Sequence, residues 1–182
     1  DRLLKLIEKG VQVEGVARVA RHFAKAGILV HAYLMYGFPT ETVQETVDSL
    51  EVVRQMFEAD ILKSAFWHQF AMTAHSPVGL NPAGFKVTKV SDETGSFANN
   101  DIDFTDDSGI DAGKFSAGLK ISLFNYMQGA GLELPLSKWF DFKIPEPSIS
   151  KQYVSQILET NAVLTPKWTA RVYWLHPLPE LQ

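Results

Sequence analysis

The feature that most limits the fold of this chain is the run Ile28-Leu29-Val30-His31-Ala32-Tyr33-Leu34-Met35-Tyr36, set between Gly27 and Gly37. Both alternating sets of side chains are apolar, broken only by His31. A strand that is greasy on both sides needs cover on both sides, and the common solution is a parallel sheet flanked by helices. Helical spacing on either side of the run supports this. Leu3, Leu4 and Ile7 give one face of a helix over residues 1–9, closed at Gly10. Val16, Val19, Ala20 and Phe23 form the expected stripe of a second helix over 15–26. After the strand, Val43, Val47, Leu50 and Phe57 mark a third helix, entered through a Thr42–Glu45 capping box and ending near Glu58. Ile61 to Met72 reads as a second strand. Helix, helix, strand, helix, strand is the repeating unit of a parallel α/β sheet or barrel.

The pattern changes after His75. Ser76-Pro77 and Asn81-Pro82 mark a loop, Phe85 to Val90 alternates as a short strand, and Ser91 to Gly113 is polar and acidic, with room for a short strand at Ile102 to Phe104. Lys114 to Gln128 reads as a helix, Pro135 to Pro147 as irregular, the residues after Ser148 or Ser150 as a helix, and Trp168 to Leu175 as a late strand. The expected organisation is a barrel-like α/β part over 1–78 and an α+β extension over 79–182. The Asp1 to Gly10 pattern, a helix already under way with no preceding methionine, reads as the cut edge of a longer protein.

Composition narrows function. Lys plus Arg is 17 against 21 Asp plus Glu, a net charge of −4, which offers no basic face for nucleic acid. The longest apolar stretch, Gly27 to Phe38, is too short to span a bilayer, and no signal-peptide pattern opens the chain, so the default location is cytoplasmic. The count of cysteines is 0 in 182 residues, which removes disulfides, thiol nucleophiles and thiolate-held metals from these residues.

The most informative string is Tyr36-Gly37-Phe38-Pro39-Thr40-Glu41-Thr42. It falls at the carboxyl end of a strand, where α/β enzymes place their ligands. Gly37 lets the backbone approach a ligand, Pro39 stiffens the turn, Thr40 and Thr42 can accept from free helix amides, and Glu41 suits the positive helix end. A strand-to-helix turn without a ligand explains the same residues equally well.

With its lead-in Lys25-Ala26-Gly27-Ile28, the helix ending Ile7-Glu8-Lys9-Gly10, and Phe70-Ala71-Met72-Thr73-Ala74-His75-Ser76-Pro77, this string resembles the second half of a radical S-adenosylmethionine barrel. The likeness is to iron–sulfur oxidoreductases of the oxygen-independent coproporphyrinogen oxidase-like and cobalamin-binding kinds, and it covers residues 3–77. It implies a C-terminal piece of a TIM-like barrel followed by an α+β extension. The parent enzyme would cleave S-adenosylmethionine at a 4Fe-4S cluster and act as a radical on a small organic or porphyrin-like substrate, with cobalamin as a further cofactor. The cluster cysteines would lie upstream of Asp1, and the fragment alone would be inactive. Carried onto this chain, the cofactor-contacting positions are Tyr33, Met35, Tyr36 and Gly37 from the first strand and its turn, and Phe66, His68 and Gln69 from the second. No catalytic or metal-ligating residue is expected within the chain.

Other groups have plainer explanations. His22, His31, His68, His75 and His176 show no metal spacing. His22 reads as helix surface and His31 as a hydrogen-bonded core residue, while His68 and His75 lie near a strand end. Asp101, Asp103, Asp106, Asp107 and Asp111 lack calcium-loop spacing and read as a solvated loop. Trp139, Phe140, Phe142, Trp168, Tyr173 and Trp174 read as packing residues. Two rival functions stay open: a non-catalytic interaction module built on the 139–142 aromatics, and another α/β-barrel enzyme binding phosphate at the helix after Thr42. An unfinished sheet also predicts self-association.

Overall fold

The computed structural model describes residues 1–90, 100–107 and 110–160, so the late strand expected at 168–175, its aromatics and His176 lie outside the described residues. The fold is mixed α/β. Its helices are α1 (Arg2–Leu6), α2 (Val13–Lys25), α3 (Val43–Glu58), α4 (Pro77–Leu80), α5 (Ser116–Met127) and α6 (Tyr153–Glu159), and its strands are β1 (His31–Tyr36), β2 (Ser64–Gln69), β3 (Val87–Lys89) and β4 (Phe104–Asp106). Among the described residues none of the helices is long and apolar enough to cross a membrane.

β1 and β2 pair in parallel with His31 opposite Ser64, Tyr33 opposite Phe66 and Tyr36 opposite Gln69. The crossover between them is α3, and its start follows the sequence expectation. Thr42 caps the helix, its hydroxyl accepting from the Glu45 amide at 3.2 Å while the Glu45 carboxylate accepts from the Thr42 amide at 2.9 Å. Short antiparallel strands were expected at 85–90 and 102–104. They appear as β3 and β4, with Val87 opposite Asp106.

The double-sided burial expected of β1 does not occur within the described residues. Ala65, Trp67 and Tyr36 are buried with residues of α2, α3, α5 and α6 in one core, whereas Tyr33 is 79% and Phe66 51% exposed. The side chains of β1 and β2 therefore divide by alternation. Ala32, Leu34, Tyr36, Ala65 and Trp67 share a core with the helices, and His31, Tyr33, Phe66 and His68 look out from the opposite face. The α2 stripe is corrected as well. Ala17 and Ala20 are the buried residues, while Val16, Val19 and Phe23 each stay more than two-fifths exposed. The physical reason is the partner: α6 packs against α2, and the small alanines allow that close approach.

The core does not break at residue 78. Phe115, Leu119, Leu123, Tyr126, Leu136, Ile144, Val154 and Ile157 are buried together with residues of α2, α3, β1 and β2. The irregular 135–147 segment is held to α5 by aromatics. Trp139 Nε1 donates to the Tyr126 hydroxyl at 2.9 Å, and the rings of Phe115, Phe140 and Phe142 meet edge to face. Gly118 allows this, since a Cβ there would lie 2.4 Å from the Phe140 ring. A second cluster (Phe38, Met72, Val78, Val87, Ile102) gathers α1, the 70–78 loop and the small sheet at the carboxyl end of β1 and β2.

A buried polar network fastens the C-terminal segment to α3. Arg54 donates to both Glu51 oxygens at 2.7 and 2.9 Å and to the Leu132 carbonyl at 2.7 Å. Gln55 donates to Glu51 at 2.8 Å and to the Ser150 carbonyl at 2.9 Å, and accepts from the Val154 amide at 2.9 Å. Replacing Glu51 with alanine leaves the buried Arg54 with the more exposed Glu58, at 3.0 Å, as its remaining carboxylate, so urea unfolding should show a loss of about 3 kcal/mol, the low end for a broken buried pair, with a smaller loss when Glu51 and Arg54 both become methionine.

The open face of β1 and β2, with their unpaired edges among the described residues, leads to a second expectation. Light scattering of the chain should show concentration-dependent self-association, and a clean monomer at high concentration would contradict it.

Candidate functional site

The carboxyl ends of β1 and β2 meet the N-terminal end of α3 at the Gly37–Thr42 turn. Gly37 has φ +75, and a Cβ there would lie 2.8 Å from the Ala112 Cβ and 3.5 Å from Gln69 Cγ. No other residue fits both the backbone and the space. Pro39 is buried, and the Glu41 amide donates back to the Phe38 carbonyl at 2.8 Å, closing the turn.

Glu41 folds inward rather than facing solvent near the helix end. It is 6% exposed. One carboxylate oxygen accepts from the Gly37 amide at 2.7 Å and the Phe38 amide at 3.1 Å, and the other from the Thr46 hydroxyl at 2.9 Å. Burial pushes its pKa above the ordinary 4.5, against the opposing pull of these three donors. Glu45, a turn away, goes the other way: the Arg2 guanidinium holds it down at about 2.

Thr40 adopts φ +67, a left-handed conformation that costs a β-branched residue. Three contacts hold it there. Arg2 donates to its carbonyl at 2.7 Å and its hydroxyl at 3.1 Å, and the Thr40 amide donates to Asp106 of β4 at 3.1 Å.

Beneath the turn lies a cleft of about 390 Å³. Gly37, Glu41, Gln69, Asp106, Ala112 and Phe115 are among its walls, so the β1 and β2 ends, α3, β4 and the entry to α5 all contribute. Asp101, Asp103 and Asp111 also line it, and among the described residues its lining includes no Lys, Arg or His. A site of this character disfavours anionic ligands. The acidic residues act mainly as local acceptors: Asp106 holds Thr40, and Asp111 accepts from the Gly113 amide at 3.0 Å. Among the described residues no group of three or more His, Cys, Asp or Glu could hold a metal ion.

The residues singled out in the sequence fall into separate places. Tyr33, Phe66 and His68 stand on the open sheet face, where Tyr33 pairs with Phe66 across the strands. Met35 shares that face but leans on the second apolar cluster. Gly37 and Gln69 line the cleft. Tyr36 is buried on the helix side, its ring edge-on to Trp67 and its hydroxyl 3.5 Å from Gln69. His31 bonds Ser64 at 2.7 Å as expected, but from the open face rather than the core. His22 and His75 are exposed.

Arg2, Glu41 and Asp106 were not among the expected cofactor-contacting positions, and Asp106 was expected in a solvated loop. Glu41 had a visible signal, an acid four residues beyond a turn glycine and able to reach back to its amide. Arg2 and Asp106 had none, because their partner Thr40 lies 38 and 66 residues away. Comparisons of the chain with models of protein families, with curated proteins and with solved structures find no match.

Two substitutions test this geometry. Gly37→Ala should destabilise the protein by about 1–2 kcal/mol from its left-handed backbone alone, and further through the clash with Ala112, as read by thermal unfolding. Glu41→Gln should alter the pH profile of stability. A carboxyl whose folded pKa is raised contributes stability below its unfolded pKa and loses it as pH rises through the folded value. The native protein should therefore lose stability from pH 4.5 upward over the Glu41 window, and the variant should lose that slope. Both should retain the separate loss at the acid end, where pH falls towards about 2 and Glu45 becomes protonated.

Proposed function

We propose that this chain forms part of the cofactor-facing wall of a radical S-adenosylmethionine enzyme, in which the open face of β1 and β2 turns towards the adenosine. The observation that carries this reading is the division of the sheet. Helices cover one face, and the other presents Tyr33 and Phe66 side by side with His68 next along, ahead of a glycine turn. Two aromatic side chains at paired positions suit a purine base, and the exposed His68 adds a polar group on the same face. With 0 cysteines, the chain has no thiolate for a 4Fe-4S cluster, so those ligands would come from another part of the parent protein. Held by the parent protein, S-adenosylmethionine and the cluster would supply radical chemistry to the substrate. The residues of this chain would bind, orient and keep water from the cofactor.

The phosphate alternative has less support. The amides of Gly37, Phe38, Thr40 and Thr42 are already bonded to the carboxylates of Glu41, Asp106 and Glu45, and the cleft is acidic. The interaction-module alternative is also weakened, because Trp139, Phe140 and Phe142 pack against the core.

The test uses the full-length parent protein. A three-cysteine cluster segment should lie upstream, and the loaded protein should bind S-adenosylmethionine. Phe66→Ala or Tyr33→Ala should weaken that binding by about tenfold, the worth of one lost aromatic contact. Unchanged affinity in both variants, or a parent without the cysteines, would overturn the proposal.

A further inference from the structure

Helix α1 is the least self-sufficient element of the described structure. It spans Arg2–Leu6, buries no residue and has no side-chain cap. A helix this short does not persist without outside support. Its support comes from three sources, the first being the Asp1 carboxylate at its N-cap, which accepts from the Val13 amide of α2 at 3.1 Å. Leu3, Leu6 and Ile7 lean on the second apolar cluster. Arg2 reaches the turn at the carboxyl end of β1: Nε and Nη2 donate to the two Glu45 oxygens at 2.7 Å each, while Nη2 and Nη1 grip Thr40 at its carbonyl and hydroxyl. The residue gripped is the one that resists its own backbone conformation, Thr40 at φ +67. From the other side Asp106, part of the cleft wall, holds the Thr40 amide. Arg2, Thr40 and Asp106 thus form a continuous chain of bonds from α1 to the cleft.

We propose that α1 is a latch on the cleft. Docked, it holds Thr40 in the left-handed conformation and keeps the β4 wall tied to the turn. Undocked, it releases Thr40 to an ordinary backbone conformation, breaks the bond to Asp106 and lets the wall move. The coupling is reciprocal: a ligand that needs the fixed wall stabilises α1, and one that needs a wider cleft loosens it. This holds whatever the cleft binds, so it stands apart from the cofactor reading. The trigger the geometry favours is electrostatic. Arg2 and Glu45 are 50% and 28% exposed, so salt and competing charges reach the pair.

Hydrogen exchange on the chain tests the latch. The Ile7 amide, bonded to the Leu3 carbonyl, reports α1, the Thr40 and Thr42 amides report the turn, and the Leu50 and Met56 amides within α3 report the whole fold. Arg2→Ala should speed exchange at Thr40 and Thr42 by about tenfold or more while Leu50 and Met56 keep their rates. The pair Leu3→Ala and Ile7→Ala, which keeps every side chain that bonds within the turn, should do the same by undocking α1. Fast exchange at Ile7 with unchanged Thr40 would overturn the proposal, as would unchanged rates at all three positions in Arg2→Ala. Should these variants lose the α3 protection as well, the unsubstituted chain decides. Added sodium chloride should speed Ile7, Thr40 and Thr42 together, and equal rates at low and high salt would overturn the latch.

Discussion

Two adjacent parallel strands cannot be joined by a tight turn, and this one constraint shapes the molecule. The chain must leave the end of β1, travel back and re-enter at the start of β2, and it does so through α3. Once α3 covers one side of the sheet, its apolar residues set where the rest can pack. α5, α6 and α2 join that side because Val47, Leu50, Val53, Met56 and Phe57 are already there. The result, among the described residues, is a sheet sealed on one face and open on the other. The crossover also fixes the Gly37–Thr42 turn at the carboxyl edge, so the candidate site is a consequence of the connection itself.

The turn shows how such a site is held without a ligand. A helix start and a positive-φ glycine leave several amides seeking acceptors. The chain answers with its own carboxylates, one from within the turn, one from the first turn of α3 and one from β4. Burying Glu41 is costly, and the three donors around it offset that cost. Arg2 then balances Glu45 on the outside. The acidic cleft below and the self-filled amides above have the same effect: an anion finds little here, while a neutral or cationic group finds aromatic and carboxylate walls.

Much of the fold was legible from local pattern. The strand after Gly27, the capping box of Thr42 and Glu45, the helix through Leu119 and Leu123, and the short antiparallel strands all follow from spacing and turn chemistry. What failed depended on partners far along the chain. Eight apolar residues in a run of nine, broken by His31, say that a strand wants cover on both sides, but not what supplies it; Tyr33 shows that the described residues do not. Val16, Val19 and Phe23 have the spacing of a core stripe, yet α6 chose the alanine side of α2. The candidate site was legible in the same proportion. Gly37 and Gln69 reach the cleft, and Tyr33, Phe66 and His68 share one face, but nothing local could show that the first group gathers at the carboxyl edge of the sheet and the second on its open face. Arg2 and Asp106 were invisible for the same reason, since each meets Thr40 only through the tertiary fold.

The absence of cysteine makes the division of the sheet, sealed on one face and open on the other among the described residues, directly measurable. Single cysteines can be placed in turn at His31, Ala32, Tyr33, Leu34 and Tyr36, and their reaction with a small thiol reagent timed at a dilution where the chain is monomeric. Labelling should alternate, rapid at 31 and 33 and slow at 32, 34 and 36. Uniformly slow labelling along the strand would contradict it, because both faces of β1 would then be covered.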